Sequence, residues 1–348
     1  MQSKAFQLVE WQQPPELRDV EVREPGPGEV LIKVGGAGAC HTDLTIMGMP
    51  PGLMPYKLPF TLGHEAAGWV EAMGPGVTGF ERGEPVLVYG SWGCGRCKPC
   101  RMGSENLCEH ALKLGYYGGG MGIDGSLAHY LRVPAARLLV PLGSLDPREW
   151  APLADAALSP YHAVKRAQPT LVPGSTAVVI GAGGLGQMAV QLLRLMSPAR
   201  VIVVDTSEAK LARAKELGAD AGVRSSDQAV SEIRELTRGQ GAELVMDLVG
   251  TDATLKLAAG VARARGQLML IGLGGGVLPF HFFGLPLECQ VMAPYWGTLP
   301  EMMEVVELAQ QGRLRMTVER FSLEQIPEAY KRMREGTLKG RAIITPHG

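Results

Sequence analysis

The spacing of apolar residues along the chain changes character near residue 150. Upstream they fall in short β-rich runs, Val20-Glu21-Val22 and Val30-Leu31-Ile32-Lys33-Val34, with the turn signal Pro25-Gly26-Pro27-Gly28 between them. This predicts β structure with turns over roughly the first 150 residues. Downstream, Ala177-Val178-Val179-Ile180 reads as a buried strand, residues 185–196 as a helix and 200–205 as a second strand. A second helix is expected over 207–217, ended by Gly218. Residues 244–247 and 267–271 read as two more strands, each near a helical pattern. Strands alternating with helices predict a parallel sheet covered on both faces, hence an α/β fold. Past Tyr295 the pattern changes again, with helical stretches at 301–310 and 324–334 and a last strand at 341–344. There is no internal repeat and no low-complexity tail.

Composition narrows the field. A chain of 348 residues fits two domains rather than one. Hydrophobic content of 46% with 20% charged residues is that of a soluble globular protein. A net charge of -1 gives no electrostatic reason to expect nucleic acid or an anionic membrane as partner. The 46 glycines and 25 prolines favour tight turns and close backbone approach over helical bundles. The opening residues lack the apolar core of a signal peptide, and no run approaches the ~18 to 20 apolar residues of a membrane span, so a cytoplasmic location is expected. Of six cysteines, Cys94, Cys97, Cys100 and Cys108 cluster; Cys40 and Cys289 stand apart. In a reducing compartment such a cluster points to a metal rather than to disulfides.

The run Gly181-Ala182-Gly183-Gly184-Leu185-Gly186 fits G-x-G-x-x-G. In a glycine-rich chain that pattern alone is weak, but here it follows a predicted strand and opens a predicted helix. Gly181 permits the tight turn, Gly183 lets the backbone approach a pyrophosphate, and Gly186 allows close helix–strand packing. Gly184 and Leu185 begin the helix, whose N-terminal N–H groups and dipole favour phosphate. Asp205 ends the next strand, where a carboxylate accepts from both ribose hydroxyls and repels a 2′-phosphate; Thr206 follows it, not arginine. This predicts NAD rather than NADP.

The spacing Cys94-x2-Cys97-x2-Cys100-x7-Cys108 supplies four thiolates, a closed tetrahedral zinc site with a structural role. A nucleic-acid-binding zinc ribbon is disfavoured because no basic stripe accompanies it. A second set is less obvious. Cys40-His41-Thr42-Asp43 and Gly63-His64-Glu65 each offer one zinc ligand, and catalytic zinc takes three, leaving one position open.

These motifs, in this order, resemble the medium-chain zinc alcohol dehydrogenases over essentially the whole chain. The resemblance implies a GroES-like β-rich catalytic domain at 1–154 and 297–348, interrupted by a Rossmann NAD-binding domain at 155–296. The segment Asp155-Ala156-Ala157-Leu158-Ser159-Pro160-Tyr161-His162-Ala163 resembles the bacterial secondary-alcohol branch, as do Pro294-Tyr295-Trp296-Gly297-Thr298 and Gly340-Arg341-Ala342. It implies Asp155 as the third ligand of the catalytic zinc, Arg341 at the cofactor pyrophosphate and Glu65 beside the metal. Two zinc ions per chain, NAD, an alcohol or ketone substrate and a homo-oligomer, tetramer or dimer, complete the expectation.

Catalysis on this reading moves a hydride between an alcohol carbon and the nicotinamide. Zinc lowers the pKa of the alcohol oxygen or polarises the carbonyl. Thr42 passes the hydroxyl proton toward the cofactor ribose, and a cleft between the domains excludes water. Where many family members carry a histidine at the outer end of the proton relay, this chain has Thr45; His41, the ribose or water is left to complete the path. Tyr56, Trp92, Tyr295 and Trp296 are candidate pocket walls, with plain core packing the competing role. Rival readings are a polyol or threonine dehydrogenase, a glutathione-linked aldehyde enzyme, a zinc-free quinone reductase and a non-catalytic NAD-binding protein. The set Cys40, Thr42, His64 and Asp155 argues against the last two.

Overall fold

Val30–Gly38 is the strand around which the first half of the molecule is built. Its run of apolar and small residues is buried along nearly its whole length, which suits a central strand better than an edge. In the computed structural model, which describes residues 1–348, it lies in a seven-stranded sheet. The order is Leu139–Pro141, Pro85–Val88, Glu65–Met73, Val30–Gly38, Arg341–Ile344 and Val318–Phe321, with Tyr130–Val133 also paired to Val30–Gly38. Register shifts between Leu31 and Ile32 and between Val34 and Gly36 bend the strand. A three-stranded sheet, Glu16–Glu21, Gln2–Leu8 and Phe60–Thr61, accompanies it.

The chain divides into two compact units, Met1–Leu158 with Trp296–Gly348, and Ser159–Tyr295. In the second, six strands pair in parallel in the order Ala221–Arg224, Arg200–Asp205, Thr176–Ile180, Ala242–Asp247, Ala262–Leu270 and Gln290–Met292. Alternate side chains feed two cores: Val179, Val201, Val203, Leu244 and Met246 on one face, Val178, Ile180, Ile202, Val204 and Val245 on the other. Double-sided burial explains why these strands read as unbroken apolar runs. The order reverses beside Thr176–Ile180, and such a switch point is where ligands bind in open α/β sheets.

Several expected elements shift by a residue or more. The helix expected at 207–217 is Glu208–Glu216, with the Ser207 side chain accepting from Lys210 N as its cap. The stretch at 324–334 splits into a 3-10 turn, Leu323–Gln325, and the helix Ile326–Arg334. The strand read at Val20–Val22 is instead Glu16–Glu21. No helix is long and apolar enough to cross a membrane.

Candidate active site and metal centres

Two pairings bring distant residues to the end of the central strand. Gly38 sits opposite Glu65 on one side and Ile343 on the other. A Cβ at residue 38 would lie 1.6 Å from Glu65 Oε2, so only glycine leaves room for that carboxylate. Cys40, 5% exposed, then caps the helix His41–Met47, and Asp43 in its first turn reaches back to accept from Cys40 N at 2.9 Å. His64 precedes the strand Glu65–Met73, and Asp155 follows the 3-10 turn Ala151–Ala154.

Donor atoms of Cys40, His64, Glu65 and Asp155 all lie within 4.8 Å of one another. Cys40 Sγ is 3.7 Å and His64 Nε2 3.5 Å from Asp155 Oδ2. Ordinary zinc bond lengths at a tetrahedral centre put sulfur–oxygen and nitrogen–oxygen edges at about 3.6 and 3.4 Å. Asp43 Oδ1 stands 3.2 Å from His64 Nδ1, leaving Nε2 to face the other donors. Burial opposes charge on His64, but the carboxylates of Asp155 and Asp43 outweigh it and hold the imidazole well above its ordinary pKa. A cation between these donors has to displace that proton. The donor set, one thiol, one imidazole and the carboxylates of Glu65 and Asp155, fits a zinc ion.

Glu65 is fully buried, and burial pushes its carboxyl up to about 7 against the opposing pull of Arg341. The Arg341 guanidinium forks onto it: Nε donates to Oε2 at 3.0 Å and Nη2 to Oε1. Arg341 Nη2 also lies 3.8 Å from Asp155 Oδ2. Arg341, expected at a pyrophosphate, is 6% exposed and lies against the acids of the Cys40 group.

Thr42 Oγ1 is 3.5 Å from Cys40 Sγ. His41 is exposed, and Thr45, half-buried, donates its hydroxyl to His41 O at 3.2 Å. Among the aromatic candidates, Trp296 stands edge-on to His64 with ring centroids 5.5 Å apart. Its Nε1 donates to Ala154 O at 2.7 Å, next to Asp155, and its φ of 58° is rare for so bulky a residue. Trp92 and Tyr56 are buried and packed: Trp92 Nε1 donates to Tyr89 O, and the Tyr56 ring meets Phe60 and Tyr117 edge-on. Tyr295 is partly exposed at the end of the second unit.

Cys94, Cys97, Cys100 and Cys108 also converge within 4.8 Å, as free thiols. Cys97 Sγ is 3.3 Å and Cys94 Sγ 4.0 Å from Cys100 Sγ, near the ~3.8 Å edge of a zinc-centred sulfur tetrahedron. Backbone N–H groups of Arg96 and Cys97 lower the Cys94 thiol to about 6. Cys94 N and His110 N donate to Cys108 Sγ. Such donors favour thiolates, the form that binds metal, but burial outweighs them at Cys108 and also pushes the Cys100 thiol up.

In the second unit Gly181 takes φ 95°, and Gly183 caps the helix Gly184–Met196, which Leu185 continues. A Cβ on Gly186 would meet Gly181 O at 2.0 Å, whereas one on Gly183 meets nothing within 4 Å. The loop is tight where helix meets strand and open where phosphate is expected. Asp205 Oδ2 accepts from Ala182 N at 2.7 Å and Oδ1 from Ser207 N at 2.9 Å. It therefore braces the glycine loop, a role that spacing alone did not reveal. Asp43 was likewise visible only as part of a motif; its signal was an acid three residues after a helix-capping position.

A profile of the alcohol dehydrogenase GroES-like domain matches residues 26–144, and one of the zinc-binding dehydrogenase domain matches residues 184–311. The chain is 36% identical to an NAD-dependent alcohol dehydrogenase of Sulfurisphaera tokodaii, across 99% of this chain and all (100%) of that one. The crystal structure of the alcohol dehydrogenase from the archaeon Aeropyrum pernix superposes with a TM-score of 0.91 at 37% identity, covering 99% of this chain and 100% of the other. An acetophenone reductase from Geotrichum candidum, solved in complex with NAD, gives a TM-score of 0.86 at 30% identity, covering 99% and 97%. Agreement over such length, with ligand-type residues gathered where a zinc dehydrogenase requires them, places the chain in the zinc-dependent medium-chain alcohol dehydrogenase family.

Proposed function

We propose that this chain is an NAD-dependent alcohol dehydrogenase with two zinc ions, and that it prefers secondary alcohols and the matching ketones. The observation that carries the reading is the convergence of Cys40, His64 and Asp155 at the separations of a tetrahedral centre. Zinc supplies Lewis acidity toward the alcohol or carbonyl oxygen, and NAD supplies the hydride acceptor. The chain's own residues do the rest. Asp43 fixes the His64 ring, and Trp296 bears on both His64 and the backbone before Asp155. Thr42, whose Oγ1 lies beside Cys40 Sγ, takes the hydroxyl proton onward on this reading. Arg341 compensates the buried charge of Glu65.

Asp205 supports NAD over NADP. Asp205→Gly is expected to raise KM for NAD by about ten- to a hundredfold, the worth of hydrogen bonds to a charged group. NADP should gain relative to NAD. Titrating both cofactors at fixed alcohol checks this; an unchanged ratio would show that the carboxylate does not select.

The secondary-alcohol preference is supported by resemblance of the Asp155–Ala163 segment and Tyr295-Trp296 to that branch, by the small Thr45, and by the ketone named for the Geotrichum relative. NADH formation should be followed with n-butanol against its secondary isomer, and with benzyl alcohol against its methyl-substituted secondary analogue. The secondary members should show kcat/KM higher by about 10- to 200-fold. Faster primary members would sink the preference alone; no NADH with any alcohol would sink the whole reading.

Reduced cysteines at metal spacing suit a cytoplasmic location. A homo-oligomer, tetrameric on the family resemblance, is supported by exposed Val277, Phe280, Phe282 and Phe283 and by the edge strand Gln290–Met292.

A further inference from the structure

We propose that Tyr330 is a positioning residue of the metal centre, its hydroxyl acting through Asp43 on both Cys40 and His64. The proposal rests on the reading of Cys40, His64 and Asp155 as metal ligands. Tyr330 belongs to the helix Ile326–Arg334 and is 2% exposed. Its Oη donates to Asp43 Oδ2 at 3.0 Å. The same oxygen accepts from Cys40 N at 2.9 Å, and the other carboxylate oxygen, Oδ1, faces His64 Nδ1 at 3.2 Å. Three groups therefore converge on one fully buried carboxylate, and two of them come from residues offered as ligands.

A buried carboxylate keeps its orientation only if its lone pairs are engaged, and an unengaged one carries the full cost of desolvation. Tyr330 and Cys40 N together hold Oδ2. With Oδ2 held on two sides, Oδ1 is fixed as the acceptor for the His64 ring, which sets the direction of Nε2. Burial and the neighbouring Asp43 charge keep the phenol well above its ordinary pKa, so it remains a donor. Packing alone does not call for the hydroxyl. The Tyr330 ring lies against Phe6, with centroids 6.3 Å apart, and phenylalanine would serve that contact equally.

The test is zinc release from the intact holoenzyme to a chromogenic chelator, run on wild type, Tyr330→Phe and Phe6→Leu. Tyr330→Phe should release the zinc of the Cys40 centre about tenfold faster, the lower end of the effect of removing an outer partner of a metal histidine. Release from the four-cysteine site should be unchanged, and kcat should fall with KM for NAD unaltered. Phe6→Leu, which disturbs the packing of the ring but leaves the hydroxyl, should change release by no more than about twofold. Equal release from wild type and Tyr330→Phe would overturn the proposal, as would equal acceleration by both variants, which would reduce Tyr330 to packing. A wild type that holds zinc only in the four-cysteine site would overturn the functional reading itself, an outcome distinct from either.

Discussion

Replacing His64 by alanine should lower kcat/KM by about a thousandfold or more while leaving the fold in place. The magnitude is that of removing several kcal/mol of charge stabilisation at the reacting oxygen. His64 supplies the only nitrogen donor of the Cys40 cluster and is almost fully buried, while Glu65, the remaining donor, is held by Arg341. Its loss leaves Asp43 Oδ1 without the imidazole 3.2 Å away, and an orphaned buried acceptor costs about 1 to 3 kcal/mol. A fall in Tm of only a few degrees is therefore expected. The glycine loop Gly181–Gly186 lies in the other compact unit, so NAD affinity, read by fluorescence titration, should hold. A variant that retains even a tenth of wild-type turnover would remove His64 from the catalytic set.

Cys97→Ser should behave in the opposite way. Cys97 is buried in a cluster of four sulfurs and caps the short helix Lys98–Arg101. A closed zinc site contributes folding energy directly, and little apolar core is available in this loop to replace it: Met102 and Leu107 are exposed. A fall in Tm of roughly 10 °C is expected, since a large domain loses a few degrees per kcal/mol. Metal analysis should give two zinc ions for wild type and one for the variant. Turnover measured below the new melting range should stay close to wild type. If the two variants lose activity and stability alike, the division between a catalytic and a structural centre fails.

The parts of the molecule legible in the sequence share a local signal. Thr176–Ile180 and Arg200–Asp205 are buried on both faces and so appear as plain apolar runs. The glycine loop and the four cysteines are each compact in sequence, so spacing alone describes their chemistry. Elements with mixed faces were harder to read. Glu16–Glu21 is mostly exposed and polar, and its pairing with Gln2–Leu8, not its own residues, makes it a strand. Ala262–Leu270 carries Arg263 and Arg265, the latter at φ 61°, so only its apolar second half was recognised. Asp155 was reached by resemblance, because nothing near it in sequence marks one acid as a ligand; only the fold sets it beside His64. Arg341 shows the converse limit. The family pattern assigns it to a phosphate, but no local signal announces its contact with Glu65.

The position of Arg341–Ile344 beside Val30–Gly38 has a consequence for synthesis. On the ribosome Cys40, His64 and Glu65 emerge early, and Asp155 follows before half the chain is made. The strand that completes the sheet, and the guanidinium that offsets Glu65, come almost at the end. Until then Glu65 lacks its guanidinium partner. The full set of side chains around Glu65 is thus assembled only once Arg341, 276 residues further along, has been made. The four cysteines lie within one short stretch and need no such distant partner to converge.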